Sequence, residues 1–205
     1  MKKDILCIDL DDTLSDTFQV IVDFARKYDI KHYGGTGILN ELVDSRDHYY
    51  FARMLNWNRE QLISFFNDCY IEYLEEIKAK KNSSEVIVKL KNLGFSICIL
   101  TARREKENGQ VYEITSNWLK KNNIEYDNLI INSINKGKIV DKMKAQIFID
   151  DSFDNCLSVR NCSPSTKVYL MDTVCNSCID GLEEIGIERI HDLPELYNKV
   201  RSLRK

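Results

Sequence analysis

Proline is scarce in this sequence of 205 residues, with two, and glycine is sparing, with eight. So few breakers leave no room for long linkers or low-complexity tails. No apolar run approaches the roughly 20 residues of a membrane-spanning helix. The first apolar stretch, Ile5-Leu6-Cys7-Ile8, is too short for the apolar region of a secretory signal. A basic excess is also missing: Lys and Arg number 29 against 32 Asp and Glu, for a net charge of −3. That excludes the electrostatic footprint of a protein that binds nucleic-acid polymers, so any phosphate must be met locally. The three histidines, His32, His48 and His191, are scattered and form no metal or triad pattern. Cysteine is odd in number at seven, with Cys7 and Cys98 inside apolar runs. Reduced thiols in a cytoplasm suit that pattern better than a disulfide framework. Cys175 and Cys178 form a lone CxxC; with Cys156 and Cys162 they could hold zinc, but a second CxxC is missing.

What is present is an ordinary globular balance, 43% hydrophobic and 30% charged, in a chain long enough to bury a core. Short apolar runs stop abruptly at polar residues: Ile5–Ile8 at Asp9, Phe95–Leu100 at Thr101, and Gln146–Ile149 at Asp150. With Leu129–Ile131 and Lys167–Leu170 they make about five buried strands, as a parallel sheet covered on both faces requires. Helical patterns fall between them, at 84–93, 111–121, 137–145, 154–160 and 193–203. Strand–helix alternation predicts a doubly wound, Rossmann-like α/β sheet. Residues 15–82 break the alternation. They look helical, most strongly over 59–80, with Gly34-Gly35-Thr36-Gly37 as a flexible interruption. The expected organisation is an α/β core of 1–14 and 83–205, with a helical cap of 15–82 inserted after the first strand.

In an open α/β sheet, ligands bind beyond the carboxyl ends of the strands. Residues just after those ends therefore converge: Asp9 and Asp11, Thr101, and Asp150 with Asp151. The segment Asp9-Leu10-Asp11-Asp12-Thr13-Leu14 after an apolar strand resembles the first motif of the haloacid dehalogenase-like (HAD) phosphatases. Thr101 ending a strand resembles the second motif. Lys138, with Lys136 and Lys142 as near rivals, best fits the third, and Asp150-Asp151 the fourth. Each is common by itself; all four in this order, at strand ends, carry the resemblance. Leu100-Thr101-Ala102-Arg103, Trp118-Leu119 and Asp150-Asp151-Ser152 narrow it toward the 5′-nucleotidase (deoxyribonucleotidase-like) branch.

The resemblance implies a phosphomonoester hydrolase acting on a small phosphorylated substrate such as a nucleoside monophosphate. Asp9 would be the nucleophile and Asp11 the general acid and base. Thr101, Ala102, Arg103 and Lys138 would bind phosphate. A carboxylate can attack phosphorus and split one hydrolysis into two steps. Each like-charge pair about 4 Å apart, however, costs roughly 4 kcal/mol at an effective dielectric of about 20. A divalent cation offsets that, and all-oxygen ligands suit Mg²⁺. Asp9, the carbonyl of Asp11, and Asp150 or Asp151 would hold it. A cytoplasmic monomer or homodimer, away from membranes, is the expected setting.

Blander roles compete for several residues. Arg103 could be an exposed salt-bridge partner, and Ser15 and Asp16 suit a helix cap. Tyr49, Tyr50, Phe51 and Trp57 could stack a nucleobase or, more simply, fill the cap core. Two other classes share the pattern. A non-catalytic HAD-fold module would bind a phosphorylated ligand or partner, against which the presence of both Asp9 and Asp11 argues. A receiver-type signalling domain also uses an acidic pair, a Thr and a Lys, but lacks a long helical insertion.

Overall fold

The computed structural model describes residues 3–40 and 50–204. In chain order the strands are β1 (Asp4–Ile8), β2 (Phe95–Leu100), β3 (Asn128–Ile130), β4 (Ile147–Asp150), β5 (Lys167–Met171) and β6 (Ile187–Ile190). They form one sheet in the order β3-β2-β1-β4-β5-β6, and every pairing is parallel. The side chains alternate between two buried faces. Leu6, Ile8, Ile97, Ile99, Ile147 and Ile149 pack on one; Cys7, Cys98, Leu100, Phe148 and Val168 pack on the other. A sheet buried on both sides explains why its strands read as unbroken apolar runs.

The helices of the core are α4 (Ser83–Asn92), α5 (Gln110–Lys121), α6 (Lys136–Met143), α7 (Phe153–Cys162) and α8 (Leu193–Ser202). Local sequence sets their ends. Gly94 follows α4 with φ of 91°, a conformation that other residues rarely adopt. Asp192 accepts from Glu195 N at 2.7 Å and so caps α8, with Pro194 in its first turn. Asn135 accepts from Lys138 N at 3.2 Å and caps α6.

Between β1 and α4 lie α1 (Thr17–Tyr28), a π-helical turn (Asp29–Tyr33), α2 (Tyr50–Met54) and α3 (Arg59–Glu76). The chain leaves and re-enters the core through a bridge between Ser15 and Ala79. This stretch is less helical than its sequence suggests, because residues 34–40 wrap a buried carboxylate. Asp29 accepts from Gly37 N at 3.0 Å and from Trp57 Nε1 at 2.7 Å. A Cβ on Gly35 would lie 1.9 Å from an Asp29 oxygen, so the glycine permits the wrap. Phe51 and Trp57 are buried against Phe65, so these two rings are core. Tyr49, the side chain of Tyr50, and His48 lie outside the described residues. The expected capping of α1 by Ser15 or Asp16 is absent. Asp12 does it from further back, accepting from Phe18 N at 2.9 Å.

Candidate active site

Strand order reverses between β1 and β4, and the crevice at such a switch point is where α/β sheets place ligands. Asp9 follows β1 and donates its backbone N–H to Ile149 O at 2.9 Å, while Asp150 ends β4 beside it. The next residues turn sharply. Leu14 N and Ser15 N both bond Leu10 O, and Asp12 takes φ of 56°. Through this turn Asp9, Asp11 and Asp12 stay at one sheet edge.

The two acids expected from the first motif face different partners. Asp9 is buried and bonded by Lys136 Nζ, which also donates to Asp150 Oδ2 at 2.7 Å. Lys136 is itself 2% exposed. Lys138 and Lys142 are exposed, so Lys136 is the lysine that the fold delivers. The reason is local: Asn135 caps α6, which makes Lys136 the first residue of the helix, at its sheet-facing end. Gly137 lets α6 sit that close, since a Cβ there would lie 2.6 Å from Ser158 O on α7.

Asp11 turns to the β2 side. Its carboxylate accepts from four donors: Thr17 Oγ1 at 2.7 Å, Thr101 Oγ1 at 3.2 Å, Arg103 Nη2 at 2.7 Å, and Arg103 Nε, shared between the two oxygens at 3.2 and 3.0 Å. Arg103, placed at the phosphate by the sequence reading, instead pairs with Asp11 and is buried. Ala102 beside it is exposed. Thr17 and Thr115, which completes Arg103 at 3.2 Å, carry no sequence signal that would mark them.

Electrostatics separate the two acids as well. Burial, together with Asp150 and Asp11, pushes Asp9 up to about 8 despite Lys136. Burial acts on Asp11 in the same sense, but the Arg103 guanidinium outweighs it and holds that carboxyl below its usual range. Asp151 is pushed well up by burial and by Asp150, Asp9 and Asp12, with Lys136 as the countercharge. Asp12 rises to about 6, chiefly through burial.

This crowding leaves the site short of positive charge. Oxygens of Asp9, Asp150 and Asp151 lie within 4.8 Å of one another, an all-oxygen set that fits a hard divalent cation. Among the described residues no other group of three or more His, Cys, Asp or Glu stands within ligating reach, so the cysteines form no zinc site there. Cys7, Cys69, Cys98 and Cys156 are buried thiols. Next to the acids a cleft of about 490 Å³ runs between α1 and the loop after β5, lined by Asp12, Phe18, Lys78, Lys80, Asp172 and Val174 among others.

No family model matches the chain, and neither does any curated protein. Solved structures do. A predicted phosphatase from Clostridium acetobutylicum is 15% identical with a TM-score of 0.65, covering 98% of this chain and 100% of its own. A HAD family hydrolase from Deinococcus radiodurans, with bound phosphate and sodium, is 13% identical with a TM-score of 0.63, over 98% and 96% of the two chains. A predicted phosphoglycolate phosphatase from Haemophilus somnus is 11% identical with a TM-score of 0.60, over 98% and 99%. Across identities this low the likeness is one of architecture, and the chain has the fold of the haloacid dehalogenase-like hydrolases.

Proposed function

We propose that this chain is a Mg²⁺-dependent phosphomonoester hydrolase working through an aspartyl phosphate on Asp9. Residues 1–14 and 83–205 form its core and 15–82 its cap. The observation that carries this reading is the buried group of Asp9, Asp150 and Asp151 around one lysine at the switch point. A bound Mg²⁺ supplies the neutralisation that lets a carboxylate meet a phosphate dianion. Asp9, Asp150 and Asp151 would hold it, and the motif resemblance adds the Asp11 carbonyl as a further ligand.

Asp9 attacks phosphorus while Lys136 and Thr101 hold the phosphoryl oxygens; Lys136 takes the role that the sequence reading gave to Lys138. Asp11 hands a proton to the departing alkoxide and later takes one from water. Positioning and charge do most of the work, as phosphoryl transfer requires.

The substrate is a small phosphorylated metabolite. Nucleoside monophosphates follow from the motif resemblance, and phosphoglycolate from the structural likeness to a predicted phosphoglycolate phosphatase. With Phe51 and Trp57 buried, those rings give a nucleobase no stacking platform. Thiols buried in the strands, Cys7 and Cys98, suit a reducing, cytoplasmic setting, in a monomer or homodimer. A panel of nucleoside monophosphates, phosphoglycolate and sugar phosphates, assayed with and without Mg²⁺, tests the reading. Metal-dependent phosphate release that Asp9→Asn abolishes is expected. Turnover indifferent to chelator or to Asp9→Asn rejects the mechanism.

A further inference from the structure

Asp11 meets four side-chain donors, as many as the roughly four lone-pair sites of a carboxylate. Two of the four belong to Arg103, Nη2 and an Nε bifurcated between both carboxylate oxygens. Arg103 cannot swing freely. Its guanidinium is 2% exposed, Nη1 is tied to Thr115 Oγ1 on α5, and its backbone N–H bonds Thr101 Oγ1 at 3.2 Å. The loop that carries it is fastened to α3 by Tyr70 OH on Arg104 O at 3.2 Å and by Lys106 Nζ on Asn67 O at 3.3 Å. So Asp11 is clamped by a rigid fork on one side and by two threonine hydroxyls on the other.

Of those donors only the hydroxyls can exchange. The weaker of the two is Thr101 at 3.2 Å, and on the phosphatase reading a phosphoryl oxygen would compete for its proton. We propose that Arg103 is a positioning residue for the second half of the reaction, the hydrolysis of the aspartyl phosphate. It fixes the plane of the Asp11 carboxylate while Thr101 turns to the phosphoryl group, which opens one lone pair on Oδ2. In that half-reaction a water oxygen bonds to phosphorus and the bond from phosphorus to the Asp9 oxygen breaks. The electron pair returns to Asp9 as carboxylate, and the water's proton passes to the opened Asp11 oxygen. The same proton serves the next leaving alkoxide. Arg103 therefore acts through Asp11 and touches no phosphate, in contrast to the role its sequence position suggests. The inference rests on the phosphatase reading above.

Rapid-quench kinetics with p-nitrophenyl phosphate and Mg²⁺ test it, with acid-trapped phosphoenzyme followed in the wild type, Arg103→Met and Thr115→Val. For Arg103→Met, phosphoenzyme formation should persist while its decay slows by about 10²-fold, the lower range for a displaced general base. A burst of nitrophenolate then precedes a slow steady state, and kcat and KM fall together. Thr115→Val leaves the charge in place and only unties Nη1, so it should shift decay in the same direction by less. It carries the test if Arg103→Met fails to fold by circular dichroism. A raised KM with unchanged decay would make Arg103 a phosphate ligand and overturn the inference, as would equal slowing of both steps. A wild type that neither turns over nor forms phosphoenzyme rejects the phosphatase reading itself. A working wild type with the wrong variant pattern rejects only the role of Arg103.

Discussion

Replacing Lys136 by Met removes the only cation that bonds Asp9 and Asp150 in the described site. Both carboxylates and the ammonium are all but sealed from solvent, with side-chain exposures of 6%, 1% and 1%. Solvent screening therefore gives little relief. Breaking one partner out of a buried ion pair costs about 3–5 kcal/mol, because the remaining charge stays buried and unpaired. For a domain of this size that corresponds to a fall in Tm of roughly 6–20 °C. The loss should be larger at pH 8 than at pH 5 in chelator, because Asp9, raised to about 8 even with Lys136 beside it, takes up a proton more readily as the pH falls. Mg²⁺ should return part of it, about 2.7 kcal/mol at a hundredfold excess over its dissociation constant. Lys138→Met is the control, since an exposed lysine away from the acids should move stability by no more than about 0.5 kcal/mol. Urea denaturation at both pH values, with and without Mg²⁺, gives all four comparisons. A loss below about 1 kcal/mol at pH 8 in chelator, or an equal loss for Lys138→Met, would refute the burial argument.

In the metal-free wild type, Asp9 is raised to about 8, and Asp151 is raised as well. The native state thus binds protons that the unfolded chain has released above about pH 4. Stability should then fall as pH rises from about 5 to 8, and saturating Mg²⁺ should flatten the slope; a flat profile in chelator contradicts the shifts. Gly137→Ala places a methyl 2.6 Å from Ser158 O, so it should cost about 1–3 kcal/mol and lower turnover by drawing Lys136 back. Full activity in that variant would show that α6 can yield. Trp57→Phe strips a 2.7 Å donor from buried Asp29 and should cost about 1.5–3 kcal/mol in thermal denaturation.

The sheet was legible because its central strands are buried on both faces and end on polar residues. β6 was not, since Ile187-Glu188-Arg189-Ile190 sets two polar residues between its isoleucines and lies at the edge of the sheet. The same physics limited the site. Asp9, Asp11, Thr101, Asp150 and Asp151 could be placed because a strand end fixes where the next side chain stands. Lys136 and Lys138 differ by two residues on a helix, which turns one inward and the other out, and only the Asn135 cap decides which. Thr115 meets Arg103 through the packing of α5, and nothing in its neighbourhood along the chain records that.

Charge placement explains why the two acids of one short motif end in opposite states. Asp11 has Arg103 to itself, so its charge is neutralised locally and costs the site little. Asp9, Asp150 and Asp151 share Lys136, and Asp12 has Lys80 as its countercharge. A second fixed lysine in place of the proposed metal would satisfy those acids permanently and leave Asp9, the proposed nucleophile, masked. An exchangeable divalent cation satisfies them only when bound, and it leaves coordination positions open to phosphate oxygens. On the proposed reading, the deficit of fixed positive charge is what a metal-dependent anion site needs, and the slightly acidic chain that contains it would bind a phosphate only after it had bound a cation.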